Sequence, residues 1–296
     1  MVLDFTKGKY GLQLIILLFI MLVSGLIFQL LGVLVLNTAF GFDFSDLSAP
    51  NSSELIMENE NGFWIFFVLM ALNSLGMFVL SSILFSKLSS PTPSEYLALN
   101  KKPEIPFLVL LPFFALSGLL VVGFLGDLNM KLNLPEVFHT MENEANALIE
   151  FIISYSGSGY FLATILLMAV LPALGEELFF RGVLQKIFIK WSKKNWIGIV
   201  ITAIIFSAIH MQFLTFLPRF FMGIMLGYLF IWSRNLWIPI LAHFLHNLIS
   251  ILVAAQQENS STENPESINI WLVMLSGLVL GIISYRYFQI SKKTHV

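Results

Sequence analysis

Apolar runs long enough to cross a lipid bilayer recur along the chain, and they constrain its fold more than any other feature. A spanning helix requires about 20 mostly apolar residues. The composition allows many such runs, because 57% of the residues are hydrophobic and only 11% are charged. We predict an all-α, multi-pass integral membrane protein, a polytopic helical bundle in which residues 1–296 form a single domain. The eight predicted spans are Gly11–Leu36, Phe63–Phe85, Pro106–Leu125, Tyr160–Leu184, Trp196–Phe213, Leu217–Trp232, Leu236–Ala254 and Ile270–Phe288.

The charges in the connections predict how the bundle is oriented. Alternate connections hold nearly all of the basic residues, namely Lys7, Lys9, Lys87, Lys101, Lys102, Lys186, Lys190, Lys193, Lys194, Arg234, Arg286, Lys292 and Lys293. The opposite side holds acidic residues and, as cations, only Lys131 and Arg219. We call these two sides the basic face and the acidic face. Because Lys and Arg accumulate in cytoplasmic loops, the basic face and both chain termini are predicted to be cytoplasmic.

Charge and cysteine content exclude several classes of function. The net charge of −2 provides no basic field for nucleic acid, so no nucleic-acid partner is predicted. The chain has no cysteine, which excludes disulfides, thiolate metal sites and a cysteine nucleophile.

Ionisable residues inside the apolar runs are few, and they concentrate in the C-terminal half. Glu176 and Glu177 lie in the fourth run, and Arg181 follows four residues later. A charge within the bilayer is costly and therefore indicates a functional site. The interiors of the first three runs contain no ionisable group. The later runs add His210, Arg219, His243, His246 and Asn247.

Helical spacing divides the two glutamates between different faces. Glu177 and Arg181 are i,i+4 neighbours with the acid first, which favours an ion pair that supports the helix. Glu176 points about 100° away and is predicted to face a cavity. His243 and Asn247 share one face. At a rise of about 1.5 Å per residue, Glu176, His210 and His243 reach a similar depth and can meet in one layer.

Three motifs in this order resemble those of the CPBP family of intramembrane proteases, which includes CAAX proteases and bacteriocin-processing enzymes. They are Glu-Glu-x-x-x-Arg from Glu176 to Arg181, Phe-x-x-x-His from Phe206 to His210, and His-x-x-x-Asn from His243 to Asn247. Each lies in an apolar run. The resemblance covers roughly residues 160–254, which are predicted to be the motif-bearing catalytic core of the bundle.

The resemblance implies a glutamate-dependent intramembrane endopeptidase. Its substrate would be a membrane-associated peptide or protein, either a CAAX-type tail or a leader or propeptide. Glu176 would activate water together with His210, while His243 and Asn247 would stabilise the oxyanion. Glu177 and Arg181 would support the site. Peptide hydrolysis requires these two functions, a base for water and donors for the developing oxyanion.

The resemblance leaves the role of metal open, because many family members are described as metalloproteases. Glu176, His210 and His243 are the candidate ligands, and they would leave a fourth zinc position for water. Their spacing differs from His-Glu-x-x-His, however, and a glutamate that binds metal cannot also act freely as the base. The spacing of these residues and the need for a free base therefore favour a mechanism without a cofactor, with zinc as the alternative.

Other interpretations of the same residues predict different functions. The main alternative is a non-catalytic membrane scaffold or bacteriocin-immunity factor on the same fold. A proton-coupled transporter is disfavoured, because no internal repeat is evident and the other spans lack acidic residues. A single interhelical histidine is as often structural as catalytic. His246 is interpreted as a packing residue and Arg219 as an interfacial anchor.

Overall fold

The computed structural model describes residues 8–49, 51–155, 159–259 and 269–294. Within these ranges every regular element is helical, as predicted. In chain order the helices are α1 (Tyr10–Phe40), α2 (Phe44–Ser48), α3 (Ser52–Glu58), α4 (Gly62–Ser89), α5 (Pro93–Tyr96), α6 (Ile105–Met130), α7 (Glu136–Ser154), α8 (Phe161–Ser192), α9 (Asn195–Ala208), α10 (Phe216–Ser233), α11 (Trp237–Asn259) and α12 (Ile270–Thr294).

Seven helices of the described chain are long and apolar enough to cross a membrane: α1, α4, α6, α8, α10, α11 and α12. They coincide with seven of the eight predicted spans, and the chain is an integral, multi-pass membrane protein. The cytoplasmic location of both termini stays a prediction.

The remaining predicted span, Trp196–Phe213, is too long for the helix that forms there. Helix α9 has 14 residues and ends at Ala208. Its length of about 21 Å falls short of a hydrocarbon core of about 30 Å. The chain leaves the helix through Met211, which has a positive φ of 56°, and forms a 3-10 turn at Phe213–Thr215. His210 therefore lies beyond the end of its helix, and the prediction that it lies within a helical span is wrong.

Helix α8 occupies the centre of the bundle and packs against α4, α9 and α11. Its neighbours α9 and α10 approach each other closely at Gly223. A Cβ atom there would lie 2.9 Å from the Cβ of Ala203, closer than real Cβ contacts allow. Glycine at this position therefore lets two helix backbones meet beside the central helix.

The α-helical geometry of α8 is interrupted on both sides of the glutamate pair. Leu166–Val170 and Phe180–Leu184 are π-helical, and α4 contains a third such segment at Leu75–Leu80. Single π-helical turns inside α-helices occur frequently at functional sites.

Two non-spanning segments cover opposite ends of the bundle. Helix α7 joins α6 to α8 on the acidic face. On the basic face, residues 90–104 connect α4 to α6 and pack into the bundle. In that connection Leu97 is buried, the backbone N–H of Leu236 donates to Ala98 O at 3.0 Å, and Lys186 donates to Tyr96 O.

Candidate active site

Glu177, Arg181 and His243 form a buried polar cluster at the centre of the bundle. Arg181 Nη1 donates to Glu177 Oε1 at 2.7 Å, and neither side chain is exposed. Arg181 Nη2 donates to Gly223 O at 3.0 Å, and the guanidinium lies 4.8 Å from the centre of the Phe206 ring. The contact expected from the i,i+4 spacing therefore forms within α8, and the hydrogen bond from Arg181 to Gly223 O links α8 to α10.

Glu176 lies on a neighbouring face of α8 and points toward two histidines. Its Oε1 is 4.0 Å from His210 Nε2, and its Oε2 is 4.0 Å from His243 Nε2. These distances are longer than direct hydrogen bonds. One carboxylate from α8 therefore faces imidazole nitrogens supplied by α11 and by the turn after α9.

The hydrogen bonds of the two rings define which nitrogen carries a proton. His210 Nδ1 is 2.8 Å from Phe206 O, and His243 Nδ1 is 3.0 Å from Glu177 Oε1. Because a carbonyl or an ionised carboxylate only accepts, each Nδ1 must be the donor. In the neutral rings both Nε2 atoms then present lone pairs toward Glu176.

His243 also connects the two glutamates. Helical spacing placed Glu176 and Glu177 on different faces of α8, so they did not need to share a partner. The structure places the His243 ring between them, with Nδ1 on Glu177 and Nε2 toward Glu176. The two nitrogens point in different directions, so one ring contacts carboxylates on two faces of the same helix.

A cavity of about 810 Å³ surrounds this arrangement. Glu176, His210, His243 and Asn247, the four predicted catalytic residues, all line it, whereas His246 does not. The cavity walls are mostly apolar and include Phe66, Met70, Ile149, Ile152, Leu167 and Ile251. The site therefore combines a small polar group with room for an apolar ligand.

The position of Arg219 differs from the expected interfacial anchor, because its side chain lines the same cavity. The chain folds back after α9, which places the start of α10 beside the end of α9. Arg219 donates to Gln212 O at 3.3 Å, to Gln212 Oε1 and to Thr215 Oγ1. The guanidinium therefore braces the turn that follows His210.

Two residues that sequence analysis missed hold this turn from outside. Asn129, at the end of α6, donates to Phe213 O at 2.9 Å and accepts from the Leu217 backbone N–H at 2.7 Å. Glu142 of α7 is buried and accepts from Thr215 Oγ1 at 2.9 Å. In the sequence, the only sign that Asn129 and Glu142 have such a role is that both are polar residues close to apolar runs.

The three candidate metal ligands do not form a preassembled site. Within the described ranges, no group of three or more His, Asp or Glu side chains is arranged to hold a metal ion. The donor types of Glu176, His210 and His243 suit zinc, and each Nδ1 has the partner typical of a metal-binding histidine. Their placement nevertheless requires rearrangement before all three could bind one ion.

Comparisons with known proteins match part of the chain, and the matching family model covers the segment that carries these residues. Residues 158–249 match the family model for type II CAAX prenyl endopeptidase Rce1-like proteins. The uncharacterized protein YpbD of Bacillus subtilis is 34% identical over 85 residues, covering 27% of this chain and 40% of YpbD. An uncharacterized 24.3 kDa protein of Escherichia coli is 30% identical over 95 residues, covering 31% of this chain and 44% of the relative.

The chain thus spans less than half the length of these curated relatives, and no solved structure matches it. The family model begins shortly before α8 and ends within α11, so it encloses all three motifs. Over residues 158–249, the chain is therefore similar to type II CAAX prenyl endopeptidase Rce1-like proteins.

Proposed function

We propose that this protein is an intramembrane endopeptidase that hydrolyses a peptide bond in a membrane-associated peptide or protein. The observation that carries the proposal is the convergence of His210 and His243 on the carboxylate of Glu176, inside a cavity between spanning helices. The match of this segment to a protease family supports the same conclusion.

Glu176 is the general base in the proposed reaction. It removes a proton from a water molecule as the water oxygen attacks the carbonyl carbon of the scissile bond. His210 Nε2, which faces the same carboxylate at 4.0 Å, accepts a hydrogen bond from that water and orients it. Glu176 then returns the proton to the leaving nitrogen as the carbon–nitrogen bond breaks, so the base is regenerated.

Asn247 and His243 stabilise the oxyanion in this mechanism. The Asn247 amide donates through its N–H groups. Because His243 Nδ1 already donates to Glu177, His243 Nε2 can donate only when the ring carries a second proton. Glu177 and Arg181 position the ring that performs this function, and they need not contact the substrate.

The cavity indicates which substrates fit. Its apolar walls suit an apolar segment, and its polar end suits the peptide bond. A CAAX-type tail and a leader or propeptide both satisfy these requirements. No step of the proposed mechanism passes through a metal ion.

The test is cleavage of quenched fluorescent peptides by purified, detergent-solubilised protein. We expect Glu176→Gln and His210→Ala each to reduce turnover by about 10²–10⁴-fold, the usual contribution of general acid–base catalysis. Glu144→Gln is the matched control, because Glu144 is exposed on α7 and should leave turnover unchanged. Full activity of Glu176→Gln would eliminate the proposed mechanism.

Treatment with a chelator distinguishes a metal-independent mechanism from one that requires bound zinc. Activity that persists after chelation supports a metal-independent base, whereas loss that zinc restores would assign Glu176, His210 and His243 to a metal. Absence of turnover by the wild-type protein across a broad peptide library would instead favour the scaffold or immunity function.

A further inference from the structure

The cavity occupies only one half of the bundle along the membrane normal. Helix α8 runs from the acidic face to the basic face, and its lining residues all precede Glu177: Leu167, Met168, Pro172 and Glu176. Helix α10 runs in the same direction, and it lines the cavity with Arg219 and Met222, both near its start. Both helices therefore line the cavity only in the half of the bundle nearer the acidic face.

The other helices that line the cavity also do so in the half nearer the acidic face. Helix α4 also runs away from the acidic face, and its lining residues lie between Phe66 and Phe78, well before Lys87. Helix α11 runs in the opposite direction and lines the cavity only from His243 onward. Helix α7, which lies on the acidic face, contributes Ile149, Ile152 and Ile153.

The basic half of the bundle is tightly packed directly beneath the site. Phe179, Phe180 and Arg181 follow the glutamates on α8 and are almost completely buried. Below them, the connection 90–104 packs into the bundle through the buried Leu97 and the hydrogen bond from Leu236 to Ala98. A peptide approaching from the basic face would meet a packed layer of side chains.

We propose that substrates reach Glu176 from the extracytoplasmic side. The basic face holds all of the Lys and Arg residues except Lys131, Arg181 and Arg219, which assigns it to the cytoplasm. The cavity lies in the opposite half of the bundle, where α7 forms part of its wall. The inference rests on the proposed function, and it defines the substrate class as an apolar peptide segment presented outside the cytoplasm, such as an exported propeptide. A cytoplasmic CAAX tail would face the closed side.

Cysteine accessibility tests the direction of access without requiring catalysis. Because the natural chain lacks cysteine, each substitution introduces a unique thiol. Ser250→Cys reports on the cavity wall, Glu144→Cys on the acidic face and Lys194→Cys on the basic face. The probe is a small, cationic, membrane-impermeant methanethiosulfonate applied to spheroplasts expressing each full-length variant.

We expect intact spheroplasts to react at Ser250→Cys and Glu144→Cys, and Lys194→Cys to react only after permeabilisation. Reaction of Ser250→Cys only after permeabilisation would overturn the proposal. Failure of Ser250→Cys to react under both conditions would also overturn it, because the cavity would then be closed on both sides.

Sealed vesicles of each orientation provide a second measurement. An impermeant quenched peptide should be cleaved at least tenfold faster by right-side-out than by inside-out vesicles, and Glu176→Gln vesicles should be inactive. Faster cleavage by inside-out vesicles would contradict extracytoplasmic access. If neither orientation cleaves any peptide, the proposed protease function fails, while thiol labelling still determines the side of access.

Discussion

Residues 158–249 and the part of the chain that precedes them contribute to the site in different ways. The family-matched segment contains the four proposed catalytic residues, Glu176, His210, His243 and Asn247. The preceding helices have no catalytic motif, yet α4 and α7 form walls of the cavity, and Asn129 clamps the turn that carries His210. The proposed reactive groups thus come from one segment, whereas their placement depends on both.

Helices α8 and α1 have nearly equal lengths but differ in how much of each is buried. In the most apolar 18-residue stretch of each helix, 44% of the stretch is buried inside the bundle for α8 and 22% for α1. A helix at the centre of a bundle can find partners for its charges, whereas a peripheral helix meets lipid on most of its surface. The following predictions test this difference, beginning with the largest expected effect.

Arg181→Ala should destabilise the protein most. It leaves Glu177 as an uncompensated buried charge, a change that typically costs about 3–5 kcal/mol. The free energy of unfolding can be measured by titrating dodecyl sulfate into mixed micelles. The control is Arg286→Ala on α12, where the side chain is exposed and the expected change is within about 0.5 kcal/mol. Equal stability of both variants would remove the central role of the ion pair.

Asn247→Ala should reduce turnover by about 10²–10³-fold, as removal of one oxyanion donor usually does. The fold should persist, because the residue lines a cavity and does not fill the core. The measurement is kcat on a cleaved peptide. Asn146→Ala is the matched control, because Asn146 is exposed on α7. A kcat equal to that of the control would show that Asn247 does not contact the oxyanion.

Asn129→Ala tests whether the preceding part of the chain positions the site. It leaves Phe213 O and the Leu217 N–H without their partner, at a cost of about 1–3 kcal/mol in stability. Displacement of His210 should lower kcat by up to about 10²-fold with little change in KM. Asn133→Ala, an exposed neighbour, is the control. Lower stability with unchanged kcat would restrict Asn129 to a structural role.

Gly76→Ala tests the contact between α1 and α4. An added Cβ would lie 2.7 Å from Phe28 Cβ and 2.8 Å from Ser24 O. Overpacking of this kind costs about 1–3 kcal/mol. Gly126→Ala on α6 has open space around the new Cβ and should gain roughly 0.5–1 kcal/mol. Stabilisation of both variants would show that α1 is held only loosely.

Leu30→Ala should have the smallest effect, because Leu30 is 59% exposed on α1. Lipid tails are as apolar as leucine, so the unfolding free energy should change by less than about 0.5 kcal/mol. Leu36 lies on the same helix and is fully buried, and Leu36→Ala should cost about 2–5 kcal/mol. A large loss for Leu30→Ala would indicate that α1 packs against another protein.

Sequence periodicity predicted the features that depend on local spacing. Apolar runs located seven spans, and i,i+4 spacing predicted the contact between Glu177 and Arg181. It also separated Glu176 from Glu177 on the surface of α8. These relations follow from helix geometry, so they can be predicted from sequence spacing alone, without knowledge of long-range contacts.

Long-range contacts define the features that the sequence did not predict. Helix α9 ends at Ala208 without a nearby proline or glycine, the usual signals of a helix end. The chain turns there because Ser207 Oγ donates to Phe216 O and Asn129 holds the residues beyond. The link between Glu177 and His243 joins residues 66 positions apart, which no local pattern reveals.

The π-helical segments of α8 have an evolutionary consequence. A π-helical turn contains one more residue than an α-helical turn, so Leu166–Val170 and Phe180–Leu184 are two places where a one-residue change in chain length can be absorbed without breaking the span. Between them, the segment from Leu171 to Phe179 keeps one register for Glu176 and Glu177. We expect alignments of distant relatives to place single-residue gaps at these two turns and none between them.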